Sequence, residues 1–484
     1  MYLGIDLGTS GVKALLIDAN QSAVASATAP LSVSRPAAGW SEQNPADWIL
    51  AAQSAVDAIR ASHAAQLAAV RGIGLSGHMH GATLVDSGDR PLRPCILWND
   101  TRSHVEAAEL DANQAFRRIS GNIVFPGFTA PKLEWVRRNE PEVFSRLRWV
   151  LLPKDYLRLW LSGEHMSEMS DAAGTSWLDT GQRAWSGELL AATGLSLREM
   201  PNLVEGTDSA GTLRGELTQR WGMSSGVVIA GGAGDNAAAA CGLGAIADGR
   251  AFVSLGTSGV LFAANADYRP LAESAVHTFC HAVPATWHQM GVTLSATDCL
   301  NWLARIAGSD AATLIGELGE TLRAPGSATF LPYLGGERTP HNDAAIRGAF
   351  TGLEHGTDRV AMTQAVLEGV TFAIADSLRA LNIAGTSPDR VMAVGGGSRS
   401  ALWLKMLATA LAVPVDVPAD GDFGAAFGAA RLGLIAAERA DPASVLAVPA
   451  IAATHEPDAS LSAAFAERLQ RYRRLYPAIR SLDS

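Results

Sequence analysis

Short apolar segments alternate with longer amphipathic or alanine-rich segments along the chain. The apolar stretches 1–6 and 12–18 flank a polar, glycine-containing turn at 8–11, a pattern that predicts a β-hairpin. Further on, an Asn-Pro pair with the composition of a helix start precedes the alanine-rich stretch 47–70. Strand-like and helix-like segments continue to alternate after this point, so we expect an α/β fold.

The sequence of the first predicted hairpin turn is repeated in the second half of the chain. Residues 6–11 read Asp-Leu-Gly-Thr-Ser-Gly, and residues 254–259 read Ser-Leu-Gly-Thr-Ser-Gly. Apolar runs flank both segments, so each has a strand-turn-strand context. A chance repeat is the alternative, but the matched context favours two similar domains, which we expect at 1–245 and 246–484. Two related domains form a cleft between them, a common place for small ligands.

Composition and charge narrow the classes of function. The chain has 484 residues, of which 48% are hydrophobic and 18% charged, enough to bury a large core. Its 38 basic and 48 acidic residues give a net charge of −10, which argues against a nucleic-acid partner. No apolar run is long enough to span a membrane, and no signal peptide is recognisable at the start, so we expect a cytoplasmic protein without a membrane partner.

The numbers and positions of cysteine and glycine residues give two further expectations. The four cysteines are scattered without a paired motif, so we expect reduced thiols in the core (Cys95, Cys241, Cys280 and Cys299). Glycine is in excess, with 48 residues, although each glycine costs backbone entropy on folding. We expect part of this excess to lie in loops where the backbone approaches a ligand, and the segment 421–428 is a further close-packing candidate.

The two repeated turns are candidates for binding phosphate. A Gly-Thr-Ser-Gly turn offers successive backbone amides and two hydroxyls, which bind an anion without net positive charge. Two such turns at one cleft would hold the phosphates of a nucleotide, although for either turn alone an ordinary hairpin is the simpler interpretation. No Walker loop is present. The candidate phosphate-binding residues are Thr9, Ser10, Gly11, Lys13, Gly256, Thr257 and Ser258.

Asp6 ends the first predicted strand beside the first of these turns. A carboxylate next to a phosphate is unfavourable unless a cation lies between them, and Mg²⁺ binds through one or two carboxylates together with water and phosphate. Asp6 is therefore a candidate metal ligand, with a turn-capping role as the alternative.

A second carboxylate follows a strand and a glycine-rich loop. Asp235 and Asn236 come after glycines at 231, 232 and 234 and before an alanine-rich helix. A substrate could approach Asp235 closely there, as a general base for a hydroxyl group requires. The alternative is a helix N-cap.

Three further segments carry candidate side chains or bare backbone. His78, Met79 and His80 lie in a glycine-flanked loop and could line a polyol pocket, and a third metal ligand is not evident nearby. The His277, Cys280 and His281 group lacks a zinc motif, so packing is the preferred interpretation. The glycine run at 395–397 could lie against a nucleoside, although a plain loop is the more common meaning of such a run.

Taken in order along the whole chain, the segments 6–13, 234–236, 254–259 and 395–400 resemble the FGGY carbohydrate kinases. The resemblance implies two ribonuclease-H-like domains of the actin-like ATPase fold, which flank a central cleft. It also implies ATP as phosphoryl donor, Mg²⁺ as cofactor and a sugar as acceptor.

Four further segments are similar to those family members that phosphorylate D-xylulose, namely 77–81, 152–156, 169–175 and 336–341. The alternatives within the family are ribulose, fuculose, gluconate and glycerol. An ATPase scaffold of the actin or Hsp70 type is an alternative from another class. One departure is Ala233, which stands where the family often has a further glycine. The oligomeric state stays open, with a homodimer as one expectation.

Carried over residue by residue, the resemblance implies a role for each matched position. Asp235 would be the general base, and Asp6 would lie by the metal ion and the phosphates. Met79, His80 and Asn236 would contact the sugar. The nucleotide would be held by Thr9, Ser10 and Gly11, by Gly256, Thr257 and Ser258, and by Gly396, Gly397 and Ser400 on the nucleoside side.

Overall fold

A computed structural model describes residues 1–419 and 423–482. The N-terminal half is built on a seven-stranded mixed sheet, in which the short strand Ala233–Gly234 pairs beside Gly72–Gly77. The order of the other strands across this sheet is Ser209–Thr212, Val228–Ala230, Gly72–Gly77, Tyr2–Leu7, Gly11–Ile17 and Ala23–Pro30.

The C-terminal half has a seven-stranded sheet of its own. Its order is His277–Cys280, Trp287–Thr293, Gly259–Asn265, Ala251–Leu255, Val391–Val394, Val415–Pro418 and Ile451–His455. Five two-stranded ladders pair Glu42–Gln43 with Cys95–Ile96, Thr83–Val85 with Trp149–Leu151, Met166–Glu168 with Asn202–Val204, Leu178–Asp179 with Ala184–Trp185, and Thr329–Leu331 with Ala349–Thr351.

The two repeated hairpins occupy equivalent positions in the two sheets. Tyr2–Leu7 runs antiparallel to Gly11–Ile17 and parallel to Gly72–Gly77. In the same way, Ala251–Leu255 runs antiparallel to Gly259–Asn265 and parallel to Val391–Val394. The repeated sequence therefore reflects a shared strand arrangement. The prediction of an α/β fold is confirmed.

Helices cover and connect these sheets. In the N-terminal half they are Pro45–Ala68, His104–Ala112, Gln114–Ser120, Thr129–Asn139, Pro141–Ser145, Pro153–Ser162, Met169–Ala172, Gly187–Ala192, Gly215–Trp221 and Asp235–Leu243. In the C-terminal half they are Thr297–Ile306, Ala311–Glu317, Arg359–Ile383, Ala401–Leu411, Ala425–Glu438, Pro442–Val445 and Ser462–Arg480. Short 3₁₀ turns occur at Ala173–Thr175, Leu197–Glu199, Ala272–Ser274 and Gly396–Arg399.

The helix Ala425–Glu438 comes from the C-terminal half but packs on the N-terminal sheet. Its contacts are backbone to backbone, since a β-carbon added at Gly74 would lie 1.8 Å from the carbonyl oxygen of Ala429. A β-carbon at Gly4 would lie equally close, at 1.8 Å, to the carbonyl oxygen of Ala426. Part of the glycine excess therefore serves the packing of a helix on a sheet, as well as loops.

The same helix packs against Asp235–Leu243 just as closely. A β-carbon at Gly428 would lie 1.8 Å from the carbonyl oxygen of Ala238, so the close-packing prediction for 421–428 is confirmed at Gly428, while Gly421 lies outside the described residues. Helix Asp235–Leu243 in turn contributes Ala240 and Leu243 to an apolar cluster that includes residues of the C-terminal sheet. The two helices thus join the halves, and the boundary between 245 and 246 stays a prediction.

Two further expectations concern the cysteines and the membrane. All four cysteines are buried and none forms a disulfide, as predicted. Among the residues that the structure describes, no helix combines the length and the apolar character that crossing a membrane requires.

The close approach of the two central helices gives a prediction for stability. We expect Gly428→Ala to lower the free energy of unfolding by about 1–3 kcal/mol, because the added methyl group forces the helices apart. Gly316→Ala is the matched control, since Gly316 also lies in a helix but a β-carbon there meets no atom within 4 Å. Urea unfolding followed by circular dichroism measures both, and equal stability of the two variants would contradict the packing argument.

Candidate active site

The carboxyl ends of three parallel strands bring the two candidate carboxylates to one edge of the N-terminal sheet. Asp6 pairs in register with Ser76, and Ser76 pairs on its other side with Ala233, two residues before Asp235. The Ser76 hydroxyl donates a hydrogen bond to Asp6 Oδ1 at 2.7 Å. Ala233 is buried within an apolar cluster formed by residues of both halves, so its methyl group is accommodated where the family often has glycine.

Asp235 is the first residue of helix Asp235–Leu243 and does not cap it. Its half-buried carboxylate accepts two hydrogen bonds at Oδ1, from the Asn236 backbone amide at 2.7 Å and from Asn236 Nδ2 at 2.9 Å. Oδ2 makes no hydrogen bond to the residues that the structure describes. The N-cap alternative is therefore wrong, and one oxygen of Asp235 is available to a ligand.

The electrostatic environment keeps Asp235 ready to accept a proton near neutral pH. Burial, followed by the negative charge of Asp6, raises the pKa of Asp235 to about 6. The hydrogen bonds from Asn236 act in the opposite direction. A carboxylate with this pKa is ionised at pH 7 but is more basic than an ordinary aspartate.

The glycines before Asp235 serve mainly the packing of the loop on its own sheet. A β-carbon at Gly232, whose φ is +75°, would lie 2.2 Å from the carbonyl oxygen of Leu75. One at Gly231 would lie 2.2 Å from the carbonyl oxygen of Glu205. A β-carbon at Gly234 would lie 2.9 Å from the side chain of Met79. These glycines hold Asp235 in place, a role different from the ligand approach that the sequence suggested.

A fully buried ion cluster lies behind this loop. Lys154 Nζ lies 3.0 Å from Asp155, 3.1 Å from Glu168 and 3.0 Å from Asp171. Burial and the two neighbouring carboxylates raise the pKa of Asp171 to about 8, so at neutral pH this group holds a proton more readily than an ordinary aspartate. Lys154, Asp155 and Asp171 come from the segments 152–156 and 169–175, which the sequence singled out without giving them a role, and Glu168 directly precedes the second segment.

The cluster is tied directly to the Asp235 loop. Arg158 donates to Asp155 at 2.7 Å and also to the carbonyl oxygen of Gly231. The amide of Gly234, adjacent to Asp235, donates to the Ser170 hydroxyl at 3.0 Å. Sequence reasoning missed these supports, because no local pattern indicates which loop a distant buried arginine or serine will hold.

The first repeated turn keeps its predicted exposure of backbone amides. Gly8 donates to the carbonyl oxygen of Gly11 at 2.9 Å, while the amides of Thr9 and Ser10 make no hydrogen bond within the described chain. The Thr9 hydroxyl accepts a hydrogen bond from Trp98 at 3.0 Å. Lys13 lies directly opposite Asp6 in the antiparallel register, which places a cation beside that carboxylate.

The second turn has the same local geometry. Gly256 donates to the carbonyl oxygen of Ser258 at 3.1 Å, and the amides of Thr257 and Ser258 have no hydrogen-bond partner among residues 1–419 and 423–482. The Thr297 hydroxyl donates to the Gly256 carbonyl at 2.7 Å and so holds the turn at the start of helix Thr297–Ile306. Each turn therefore presents two successive amides to solvent.

Only part of the third glycine segment is open to a ligand. A β-carbon at Gly395 would lie 2.8 Å from the Leu255 carbonyl oxygen, and one at Gly397 would lie 2.7 Å from the Leu255 β-carbon. Gly396 is exposed and meets nothing within 4 Å, so it alone offers a bare surface. Ser400 caps helix Ala401–Leu411, since its hydroxyl accepts from the Trp403 amide at 3.2 Å.

His80 is held in a defined orientation and protonation state. Its Nδ1 lies 2.7 Å from the carbonyl oxygen of Gly174, which can only accept, so the ring proton lies on Nδ1 and Nε2 is an acceptor. Burial lowers the pKa of His80 to about 3, so the ring is neutral. Lys132 Nζ donates to the His80 carbonyl oxygen at 2.9 Å and fixes its backbone.

Aromatic rings from both halves surround His80. The ring stacks on Phe128 with centroids 4.5 Å apart, and Phe279 of the C-terminal half lies 6.1 Å away. Met79 is buried in the same apolar cluster. His78 is different, because it is buried against Trp48 and neither ring nitrogen has a partner. The contact of Met79 and His80 with a sugar stays a prediction, while His78 belongs to the packing.

The structure supports the packing interpretation of the other histidines. His277 stacks on Phe279, and His281 Nε2 lies 3.2 Å from the carbonyl oxygen of Ala245. Within the described residues, no group of three or more His, Cys, Asp or Glu side chains could hold a metal ion.

Two models of a known protein family together match most of the chain. The N-terminal domain model of the FGGY family of carbohydrate kinases matches residues 1–242. The C-terminal domain model of the same family matches residues 251–437. The N-terminal domain model matches the half that contains the first sheet, and the C-terminal domain model matches the half that contains the second sheet.

Individual relatives match over their full length. The xylulose kinase of Escherichia coli strain K12 is 47% identical over 479 residues, with 98% of each chain covered. The crystal structure of a "xyloylose kinase" from Brucella ovis is 65% identical, with a TM-score of 0.98 and 99% of each chain covered. The xylulose kinase of Rhodospirillum rubrum has a TM-score of 0.92 at 27% identity, with 99% of each chain covered. The predicted actin-like ATPase fold is thus confirmed.

The effect of Asp6 on its neighbour can be measured directly. We expect Asp6→Asn to lower the pKa of Asp235 from about 6 toward the ordinary value, because one of the two causes of the increase is removed. A pH titration by ¹³C NMR with labelled aspartate measures this pKa, and Asp235→Asn identifies the signal. The control Asp441→Asn removes an exposed helix-capping carboxylate and should leave the pKa unchanged. A pKa that stays at its original value in Asp6→Asn would show that the two carboxylates are not coupled.

Proposed function

Since the chain belongs to the FGGY family of carbohydrate kinases, we propose that it transfers the γ-phosphoryl group of ATP to D-xylulose, which yields D-xylulose 5-phosphate and ADP. The observation that carries this proposal is the 47% identity to the Escherichia coli xylulose kinase over 98% of both chains. The packing of Gly234, the residue before Asp235, on Met79 supports it, because a sugar kinase needs its general base beside the residues that hold the sugar. The cytoplasm, where ATP is abundant, is the proposed location.

Asp235 would act as the general base. Its free Oδ2 accepts the hydrogen of the C5 hydroxyl, and the C5 oxygen attacks the γ-phosphorus in line with the departing group. The bond from the γ-phosphorus to the bridging oxygen of ADP breaks, and that oxygen keeps the electron pair. Positioning and electrostatic stabilisation supply most of the rate in such transfers. The raised pKa of Asp235 suits this role.

The two repeated turns would hold the phosphates of ATP. Their unpaired amides at Thr9, Ser10, Thr257 and Ser258 are suited to charged phosphate oxygens. Lys13 would add positive charge from beside Asp6. On the nucleoside side, Gly396 is exposed and would contact the nucleoside. Gly397 and Ser400 would hold the Gly396 loop in place.

The residues fit a magnesium ion at Asp6. Asp6 and Asp235 lie close enough for their charges to interact, and their hard carboxylate oxygens are the ligands that Mg²⁺ prefers. Asp6, held by Ser76, would bind the ion directly or through water. The ion, when bound, would neutralise charge on the phosphates, and Asp235 would keep its role in proton removal.

A panel of sugars tests the substrate. We expect ADP release to be fastest with D-xylulose and much slower with ribulose, fuculose, gluconate and glycerol, because a neutral His80 with its acceptor Nε2 selects the hydroxyl pattern of one sugar. A coupled assay of ADP release measures kcat/KM for each compound. A higher kcat/KM for another sugar would transfer the proposal to that sugar, and ATP hydrolysis indifferent to every sugar would support an ATPase scaffold instead.

The role of Asp235 has its own test. We expect Asp235→Asn to lower kcat for the sugar by about 10²–10⁴-fold, because the amide cannot take the proton. Binding of ADP, measured by calorimetry, should stay close to that of the wild type. The control Asp441→Asn, at an exposed helix cap that asparagine also satisfies, should keep the full rate. Near-normal turnover in Asp235→Asn would refute the assignment of the base.

A further inference from the structure

Arg338 is a half-buried cation that forms no ion pair with the residues that the structure describes. No carboxylate lies within 4.0 Å of its guanidinium group in the described part of the chain. The guanidinium carbon lies 4.0 Å from the centroid of the Phe125 ring, and Nη1 makes a long contact of 3.5 Å with His277 Nε2. Burial lowers the pKa of Arg338 to about 10. A desolvated cation with so few acceptors is costly for the fold, which points to a ligand.

The backbone on both sides of Arg338 is firmly anchored. The Arg338 amide donates to the Glu337 carboxylate at 2.7 Å, and this carboxylate also accepts hydrogen bonds from the Thr293 hydroxyl at 2.6 Å and from the Leu294 amide at 3.0 Å. The Thr339 amide donates to the Val292 carbonyl at 3.0 Å. Two anchors around one arginine hold its side chain ready in a single direction, as a binding residue requires.

That direction is toward a group of aromatic rings in the N-terminal half. Phe125 belongs to the N-terminal half and packs on Phe128, which stacks on His80. The positive charge of Arg338 contributes to the lowered pKa of both His80 and His277. The aromatic contacts therefore place Arg338 on the His80 side of the candidate site.

We propose that Arg338 is a sugar-binding residue whose guanidinium donates hydrogen bonds to the carbonyl and hydroxyl oxygens at the end of the ketose remote from Asp235. This inference rests on the proposed function and deepens it. Arginine suits the role, because its fixed array of donors matches two neighbouring oxygens. Since Arg338 belongs to the C-terminal half and His80 to the N-terminal half, a bound sugar bridges the two halves.

Replacement of the guanidinium tests this role. We expect Arg338→Met to raise the KM for D-xylulose by about 10- to 100-fold, the effect of one lost charge-assisted hydrogen bond. The KM for ATP and the slow hydrolysis of ATP without sugar should not change. Arg338→Lys keeps the charge and one donor, so it should restore part of the affinity for the sugar. It also provides the measurement if the methionine variant fails to fold.

The control is Arg347→Met, which alters an exposed arginine that donates only to carbonyl oxygens of its own loop. It should leave both KM values unchanged. An unaltered KM for the sugar in both Arg338 variants would overturn the inference, as would an increase confined to the KM for ATP. A decrease of kcat alone, at constant KM, would indicate a structural role and would also overturn it. A wild-type protein that phosphorylates no sugar would overturn the proposed function itself, which is a distinguishable result.

Discussion

The active-site geometry depends on the backbone contact between helices Asp235–Leu243 and Ala425–Glu438. The second helix packs on the strands that carry Asp6 and Ser76, and the first helix begins at Asp235. Strand pairing through Ser76 places the two carboxylates, and the close helix–sheet and helix–helix contacts keep these strands and the start of helix Asp235–Leu243 in that arrangement. Glycine and alanine at these contacts remove the side chains that would otherwise separate the elements. Small residues outside the candidate site thus contribute to the placement of Asp6 and Asp235.

This contact also changes the meaning of the glycine excess. From composition alone, glycine-rich loops point to ligands, and the open face at Gly396 fits that expectation. Gly74 and Gly428, however, lie where one backbone meets another, and Gly232 lies where a loop packs on its own sheet. Glycine has the same physical role in all these places, since it allows a close approach of atoms that a β-carbon would block. Only the structure shows whether the approaching group is a ligand or another part of the protein.

Local sequence signals predict the main elements of the candidate site. The two Gly-Thr-Ser-Gly turns, the loop before Asp235 and the pair Met79 and His80 each have their own composition, because strand ends and turns select their residues locally. The supports of these elements have no such signal. Lys132 and Arg158 are ordinary basic residues in amphipathic helices, and only the tertiary fold directs them to the carbonyl oxygens of His80 and Gly231. For the same reason, the sequence could not separate Ser400 as a helix cap from Ser400 as a nucleotide ligand.

The two ends of the pocket differ in the way they handle charge. At the Asp235 end, two carboxylates lie near each other, which favours a bound cation. Burial and the charge of Asp6 also raise the pKa of Asp235, so this carboxylate accepts a proton more readily than an ordinary aspartate. At the other end, a neutral His80 offers an acceptor and Arg338 offers several donors against aromatic surfaces. An uncharged polyhydroxy ligand matches the second end, and phosphate with its metal ion matches the first. Because the groups at the second end come from both halves of the chain, closure of the cleft around the sugar would also exclude water from the base, which favours transfer to the sugar over hydrolysis.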